Sequence, residues 1–202
     1  MDYSQDGEQK VILDYFKDFK GRLLDIGAND GKTLSNSRAL MERGWVGVLV
    51  EPSIEAFSKL VQLYMCTGAV TLVPFAISDK AEKVTFFESG THLKQGDTSL
   101  LSTIKESELD RWKNSDNKFT ETEVECITIQ DLEELTGVKS YDFITIDAEG
   151  VDFEILSQID LTNTKLVCVE TNSIEDKKYI DYCAQFGLKV IHKNYCNLIL
   201  GR

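Results

Sequence analysis

Apolar positions along this chain alternate between helical and strand-like spacing. Val11, Ile12, Tyr15, Phe16 and Phe19 share one helical face, with Asp14, Lys17 and Asp18 turned away. That stripe predicts an opening helix over 7–20, ended by Gly21. Residues 22–26 are too few for a helix and predict a strand, followed by a helix over 34–43 closed by Gly44. The run Val46-Gly47-Val48-Leu49-Val50 is almost continuously apolar, the pattern of a strand covered on both faces. Ile54, Phe57, Leu60, Val61, Tyr64 and Met65 give the next helical stripe, and 70–76 the next strand.

The rhythm changes between residues 79 and 130. Strands are predicted at 83–88 and 123–129, flanking a polar, glycine-containing stretch read as a loop with some helix, and a short helix covers 131–135. The alternation then resumes with a strand at 142–147, a helix at 151–159, a strand at 165–170 and a helix at 175–186. Two closing strands, 188–192 and 196–200, are separated only by Lys193-Asn194-Tyr195. So short a link is a hairpin, which sets the last strand antiparallel to its predecessor. Repeated strand–helix units imply an α/β fold, a mostly parallel sheet with helices on both faces. Ligands of such sheets bind beyond the carboxyl ends of the strands. The residues to watch are therefore Asp25 to Gly31, Glu51, Ala76 to Asp79, Asp147 to Gly150, and Glu170.

Composition narrows the picture. A chain of 202 residues with 42% hydrophobic content supports one sizeable core, so a single domain over 1–202 is expected, with an inserted region at about 79–130. The net charge of -12, with no dense Lys/Arg run, argues against a nucleic-acid partner. Five scattered cysteines without a C-x-x-C pair read as small hydrophobes in a reducing compartment. No basic-then-apolar leader opens the chain, and no apolar stretch approaches the ~20 residues of a membrane span. The expected location is the cytoplasm, with no membrane partner.

The chemistry begins at the end of the first predicted strand. Asp25 enters a turn in which Gly27 permits a sharp bend and Gly31 a close approach of the following helix, while Asn29 tolerates left-handed backbone. The glycines read G-x-x-x-G and depart from the dinucleotide fingerprint G-x-G-x-x-G. Glu51 ends the second strand, 20 residues after Gly31, the spacing at which an acid meets ribose hydroxyls. A carboxylate there would repel a 2′-phosphate.

Several segments in order carry a resemblance: Asp25-x-Gly27-x-Asn29-x-Gly31, Gly44-Trp45-x-Gly47-x-x-x-Glu51-Pro52, Ala76-Ile77-Ser78, and Ile146-Asp147-Ala148-Glu149-Gly150 with Asp152 and Leu156. With Ser4-Gln5-x-Gly7-Glu8 ahead of the first helix, the chain resembles the FkbM-type family of S-adenosylmethionine-dependent methyltransferases. The resemblance implies a Rossmann-like, seven-stranded class I methyltransferase sheet with an antiparallel last strand. It implies S-adenosyl-L-methionine as cofactor, with the turn from Asp25 through Gly27, Asn29 and Gly31 at its amino-acid end and Gln5 nearby. Glu51 would take the ribose, Pro52 and Ser53 would lie beside the adenosine, Ala76, Ile77 and Ser78 against adenine, and Asp147 near the sulfonium. Ala148 departs from the branched residue many relatives carry.

Acids suit the sulfonium and ammonium of that cofactor, and backbone N–H groups of a helix starting after Gly31 would suit its carboxylate. Methyl transfer to oxygen requires an in-line acceptor and removal of its proton. Glu149, held rigidly beside Asp147, and His92, in the inserted loop, are the candidate bases; Asp152 and Glu170 stand near, and His192 reads as structural. Residues 90–102 of the insertion are placed to form a lid. No His/Cys/Asp spacing of a tight metal site is present, so no metal ligands are expected. With only Pro52 and Pro74, the chain lacks both the Pro-Pro-aromatic signature of base amino-methylation and the Pro-Cys nucleophile used on cytosine. The expected acceptor is a small hydroxylated or carbohydrate-like molecule. An NAD-dependent oxidoreductase and a non-catalytic cofactor-binding module remain the alternatives.

Overall fold

The computed structural model describes residues 1–94 and 96–202. The chain runs α1 (Glu8–Phe16), β1 (Arg22–Ile26), α2 (Arg38–Glu42), β2 (Val46–Val50), α3 (Ile54–Tyr64), β3 (Val70–Val73) and β4 (Ala76–Ile77). The insertion holds β5 (Lys83–Ser89), a 3₁₀ turn (Glu106–Glu108), α4 (Leu109–Trp112) and β6 (Phe119–Ile127). Then come α5 (Ile129–Thr136), β7 (Phe143–Ile146), α6 (Asp152–Leu156), β8 (Leu166–Glu170), α7 (Asp176–Ala184), β9 (Lys189–Lys193) and β10 (Asn197–Gly201).

Seven strands form one sheet in the order β3-β2-β1-β7-β8-β10-β9. The pairings from β3 to β8 are parallel, and β10 runs antiparallel to both β8 and β9. The closing hairpin predicted from the three-residue link is therefore present, with β10 inserted between its neighbours. Successive strand residues feed opposite layers, as a pleated strand requires. Leu24, Ile26, Val48, Val50, Ile144, Ile146, Val167 and Val169 pack with α5, α6 and α7 residues such as Leu132, Ile155 and Cys183. Leu23, Leu49, Phe143, Leu166 and Cys168 pack on the other side with Ile12 and Phe16 of α1, Leu40 of α2 and Leu60 of α3. The near-continuous apolar strands are thus covered twice.

Among the boundaries that differ from the sequence reading, three have identifiable reasons. The single strand expected over 70–76 is divided at Pro74, which has no N–H for a ladder, and Ala76–Ile77 pairs instead with β6 in a second sheet of order β4-β6-β5. The helix expected over 34–43 is only Arg38–Glu42, because Leu34 is left-handed at φ 54° and the Ser35 and Ser37 side chains engage local partners. The opening helix ends at Phe16, where Lys17 turns left-handed at φ 50°. In the insertion, β5 and β6 form a long antiparallel hairpin from Lys83↔Glu125 to Ser89↔Phe119. Three of the five cysteines, Cys126, Cys168 and Cys183, are buried, and all five are free thiols. No helix of the described residues is long and apolar enough to cross a membrane.

Candidate active site

A cavity of about 700 Å³ opens at the carboxyl ends of β1, β2, β7 and β8, roofed by the insertion. Its size is that of a small-molecule site. Gln5, Asp25, Gly27, Asn29, Glu51, Pro52, Ala76, Ile77, His92, Asp147 and Glu149 all line it. Gly31, Ser53 and Ser78 do not reach the lining and stand behind it. Gly31 lies where a Cβ would come 2.6 Å from Leu60 of α3, Ser53 caps α3 by accepting from Ala56 N–H, and the Ser78 hydroxyl donates to the Lys80 carbonyl.

The turn is built tightly. Gly27 has φ +84°, and a Cβ there would sit 1.8 Å from the Asp147 carbonyl oxygen, so the residue must be glycine for β1 and β7 to meet. Asn29 is left-handed at φ 47°, as its residue type allows. Every amide from Gly27 to Thr33 is already used within the protein. Gly27 and Ala28 N–H both donate to the Val50 carbonyl at 3.0 Å, and Gly31 N–H to that of Ala28 at 2.9 Å. Asn29 N–H donates to Glu51 Oε2 at 2.9 Å and Asp30 N–H to Asn29 Oδ1 at 2.8 Å. Lys32 and Thr33 N–H donate to Asp30 Oδ1 at 2.8 and 2.7 Å. This corrects the expectation of a helix start after Gly31: α2 begins only at Arg38, and the amides that were to face a carboxylate are bound to Asp30.

Around this turn stand acids. Glu51 accepts from Asn29 N–H on one oxygen and from Ser53 N–H at 2.8 Å on the other, leaving further lone pairs toward the cavity. Burial outweighs these bonds and pushes its carboxyl up to about 7. Asp25 accepts from the Ser37 hydroxyl at 2.5 Å, and burial raises it to about 6. Asp147, whose N–H extends the β1–β7 pairing to Ile26, is raised well above the carboxylate range by burial and then by the charges of Glu149, Asp152 and Asp25. Burial and the neighbouring Glu170 do the same to Glu149. Asp152 spends both oxygens on the turn above β7, accepting from Ala148 N–H at 2.8 Å and Gly150 N–H at 3.0 Å.

The sequence spacing gave no metal ligands, yet the fold brings one carboxylate oxygen each from Asp147, Glu149 and Glu170 within 4.8 Å of one another, a geometry able to take a cation. The three come from the ends of two adjacent parallel strands, which linear spacing does not reveal.

The insertion supplies the opposite wall. Asn29 Nδ2 donates to the Thr98 carbonyl at 2.9 Å, and Ser99 Oγ lies 2.8 Å from Ser53 Oγ, so the predicted lid is tied to both strand ends it covers. Gln95, within that lid, lies outside the described residues. His92 faces Trp112 edge-on at 5.5 Å, with Nδ1 3.3 Å from Asn117 Oδ1. Arg111 lies 3.4 Å from Glu149 Oε2 and 2.7 Å from Glu108 Oε2, and it opposes the rise of all three clustered acids. The Trp112 indole Nε1 is buried without a partner. Sequence reading missed Arg111, Trp112 and the Thr33–Asn36 wall; an aromatic beside a cation in an otherwise polar loop was the available signal.

Strand order, the antiparallel insertion of β10 and a cavity at the strand ends define a Rossmann-like methyltransferase fold. The chain matches the family model described as Methyltransferase FkbM domain over residues 25–187, and it belongs to that family. A crystal structure of methyltransferase FkbM from Methylobacillus flagellatus KT is similar with TM-score 0.57 at 12% identity, covering 91% of this chain and 44% of that one. The chain thus spans less than half the length of that protein. Ribosomal protein L11 methylase from Lactobacillus delbrueckii subsp. bulgaricus has TM-score 0.51 at 10% identity, covering 96% and 77%. Precorrin 8W decarboxylase from Methanobacterium thermoautotrophicum has TM-score 0.51 at 12% identity, covering 100% and 92%. At these identities the likeness is one of fold. No curated protein matches the chain.

Proposed function

We propose that the protein binds S-adenosyl-L-methionine in this cavity and methylates an oxygen of a small hydroxylated or carbohydrate-like acceptor. One observation carries the reading: the turn offers acids, while its amides from Gly27 to Thr33 are all occupied. A dinucleotide places its pyrophosphate on free amides of such a turn, and none is free here. A ligand bearing a sulfonium and an ammonium instead finds Asp25 and Asp147, whose ionised forms are disfavoured until a cation arrives. Family membership supports the same donor.

The residues fit the cofactor in parts. Glu51 has lone pairs left to accept from a ribose diol, and Pro52, Ala76 and Ile77 offer an apolar wall to adenine. When bound, the cofactor supplies an electrophilic methyl group. Glu149 then serves as the proton acceptor for the substrate hydroxyl, because burial and the neighbouring Glu170 raise its carboxyl well above the usual range and make its ionised form a stronger base. His92 is the second candidate for that task, across the cavity wall formed by the lid. The buried, unpartnered Trp112 N–H favours an acceptor that carries oxygens.

Labelled methyl transfer to a panel of hydroxylated metabolites tests this. Glu149→Gln is expected to slow turnover by roughly 10²–10⁴-fold while leaving S-adenosylmethionine affinity within about twofold. Unchanged turnover would remove Glu149 from the mechanism, and binding of NAD in place of S-adenosylmethionine would overturn the function.

A further inference from the structure

The loop between the glycine turn and α2 contains an acceptor with nothing to accept. Asn36 is 9% exposed and lines the cavity, and its Oδ1 is buried without a hydrogen-bond partner. Buried carbonyl oxygens are almost always paired, because stripping one of water without replacement is unfavourable. A partner supplied by a ligand resolves that cost. The residues on either side of Asn36 are held in place: Ser37 Oγ donates to Asp25 Oδ2 at 2.5 Å, and Ser35 Oγ lies 3.3 Å from Ser37 Oγ and accepts from Arg38 N–H at 3.1 Å. The loop is thereby pinned to the end of β1.

We propose that the Asn36 side-chain oxygen receives the α-ammonium of the cofactor's amino-acid end, a role that rests on S-adenosylmethionine being the ligand. An amide oxygen binds donors and rejects a carboxylate. The ribose, the other donor-rich part of the cofactor, falls to Glu51 on the neighbouring strand β2, whereas the loop that carries Asn36 is tied to Asp25 on β1 through the adjacent Ser37. An ammonium has three N–H donors and a positive charge. It satisfies Asn36 and at the same time favours ionisation of Asp25, which burial holds near 6. Asn36 and Asp25 then act as a neutral and a charged acceptor on one cationic group, and they select ligands that carry it.

Calorimetry with three probes separates the possibilities: S-adenosylhomocysteine, the same molecule without its carboxylate, and 5′-methylthioadenosine, which lacks the whole amino-acid end. Asn36→Ala is expected to weaken the two amino-bearing probes by about tenfold or more and 5′-methylthioadenosine by less than about twofold. Asn36→Asp keeps the acceptor and is expected to bind both amino-bearing probes at least as tightly as the wild type. The inference is overturned by equal losses on all three probes, by a loss confined to the carboxylate-bearing probe, by unchanged affinity in Asn36→Ala, or by loss of both amino-bearing probes in Asn36→Asp. A wild-type protein that binds none of the three overturns the cofactor reading and this role with it.

Discussion

Gly27 carries the tightest constraint at the level of single residues. Its φ of +84° is open to few side chains, and the 1.8 Å separation between a Cβ there and the Asp147 carbonyl oxygen is one no structure accommodates. Gly27→Ala would force apart β1 and β7, the two central strands. It is expected to destabilise the protein by at least about 3 kcal/mol in urea unfolding. A loss below about 1 kcal/mol would mean that the turn relaxes freely and is not the rigid element described. Asn29 shows the opposite economy: its backbone takes the left-handed turn, its N–H holds Glu51, and its side chain fixes the lid at Thr98. As a gap in a dehydrogenase fingerprint it read as a departure, but its geometry suits the turn.

At the level of elements, the parallel strands β1, β2, β7 and β8 each carry an acid at or next to the carboxyl end, so the topology concentrates Asp25, Glu51, Asp147 and Glu170 at one edge. The chain alone allowed these strand ends to be singled out, since each acid follows an apolar run. It did not reveal the triad of Asp147, Glu149 and Glu170, which depends on β7 and β8 being neighbours. Nor did it predict the early loop before α2, where serine side chains compete with helix formation. The clustered acids have a thermodynamic consequence. Asp25 near 6 and Glu51 near 7 lie above ordinary carboxylates, so the folded protein binds more protons than the unfolded chain between about pH 4 and pH 7. Their contribution is fully present below that window and is lost as pH rises through it. The melting temperature of the ligand-free protein is expected to fall by at least about 5 °C from pH 5 to pH 8. Glu51→Gln, which cannot ionise, should shrink that fall. A melting temperature that rises over the same range would contradict the burial of these acids.

For the molecule as a whole, a net charge of -12 coexists with a cavity whose wall gathers buried acids and one nearby arginine, Arg111. Both features suit a cationic small molecule and oppose a polyanion. The α/β class, the antiparallel closing hairpin and most of the residues that meet at the cavity were legible in the chain, because periodicity and turn chemistry are local signals. The lid's attachments and the wall from Arg111 and Trp112 were not, because they arise where an insertion folds back over distant strand ends. Binding of S-adenosylmethionine in this cavity through Glu51 and Asp25 is the proposal on which the others rest. Titration calorimetry of S-adenosylmethionine into the wild type, Glu51→Ala and Asp25→Ala is the decisive measurement. Saturable binding to the wild type is expected, with affinity at least about tenfold weaker in each variant, the loss expected for a bond to a charged acceptor. Unchanged affinity in both variants, or no binding to the wild type, would contradict it.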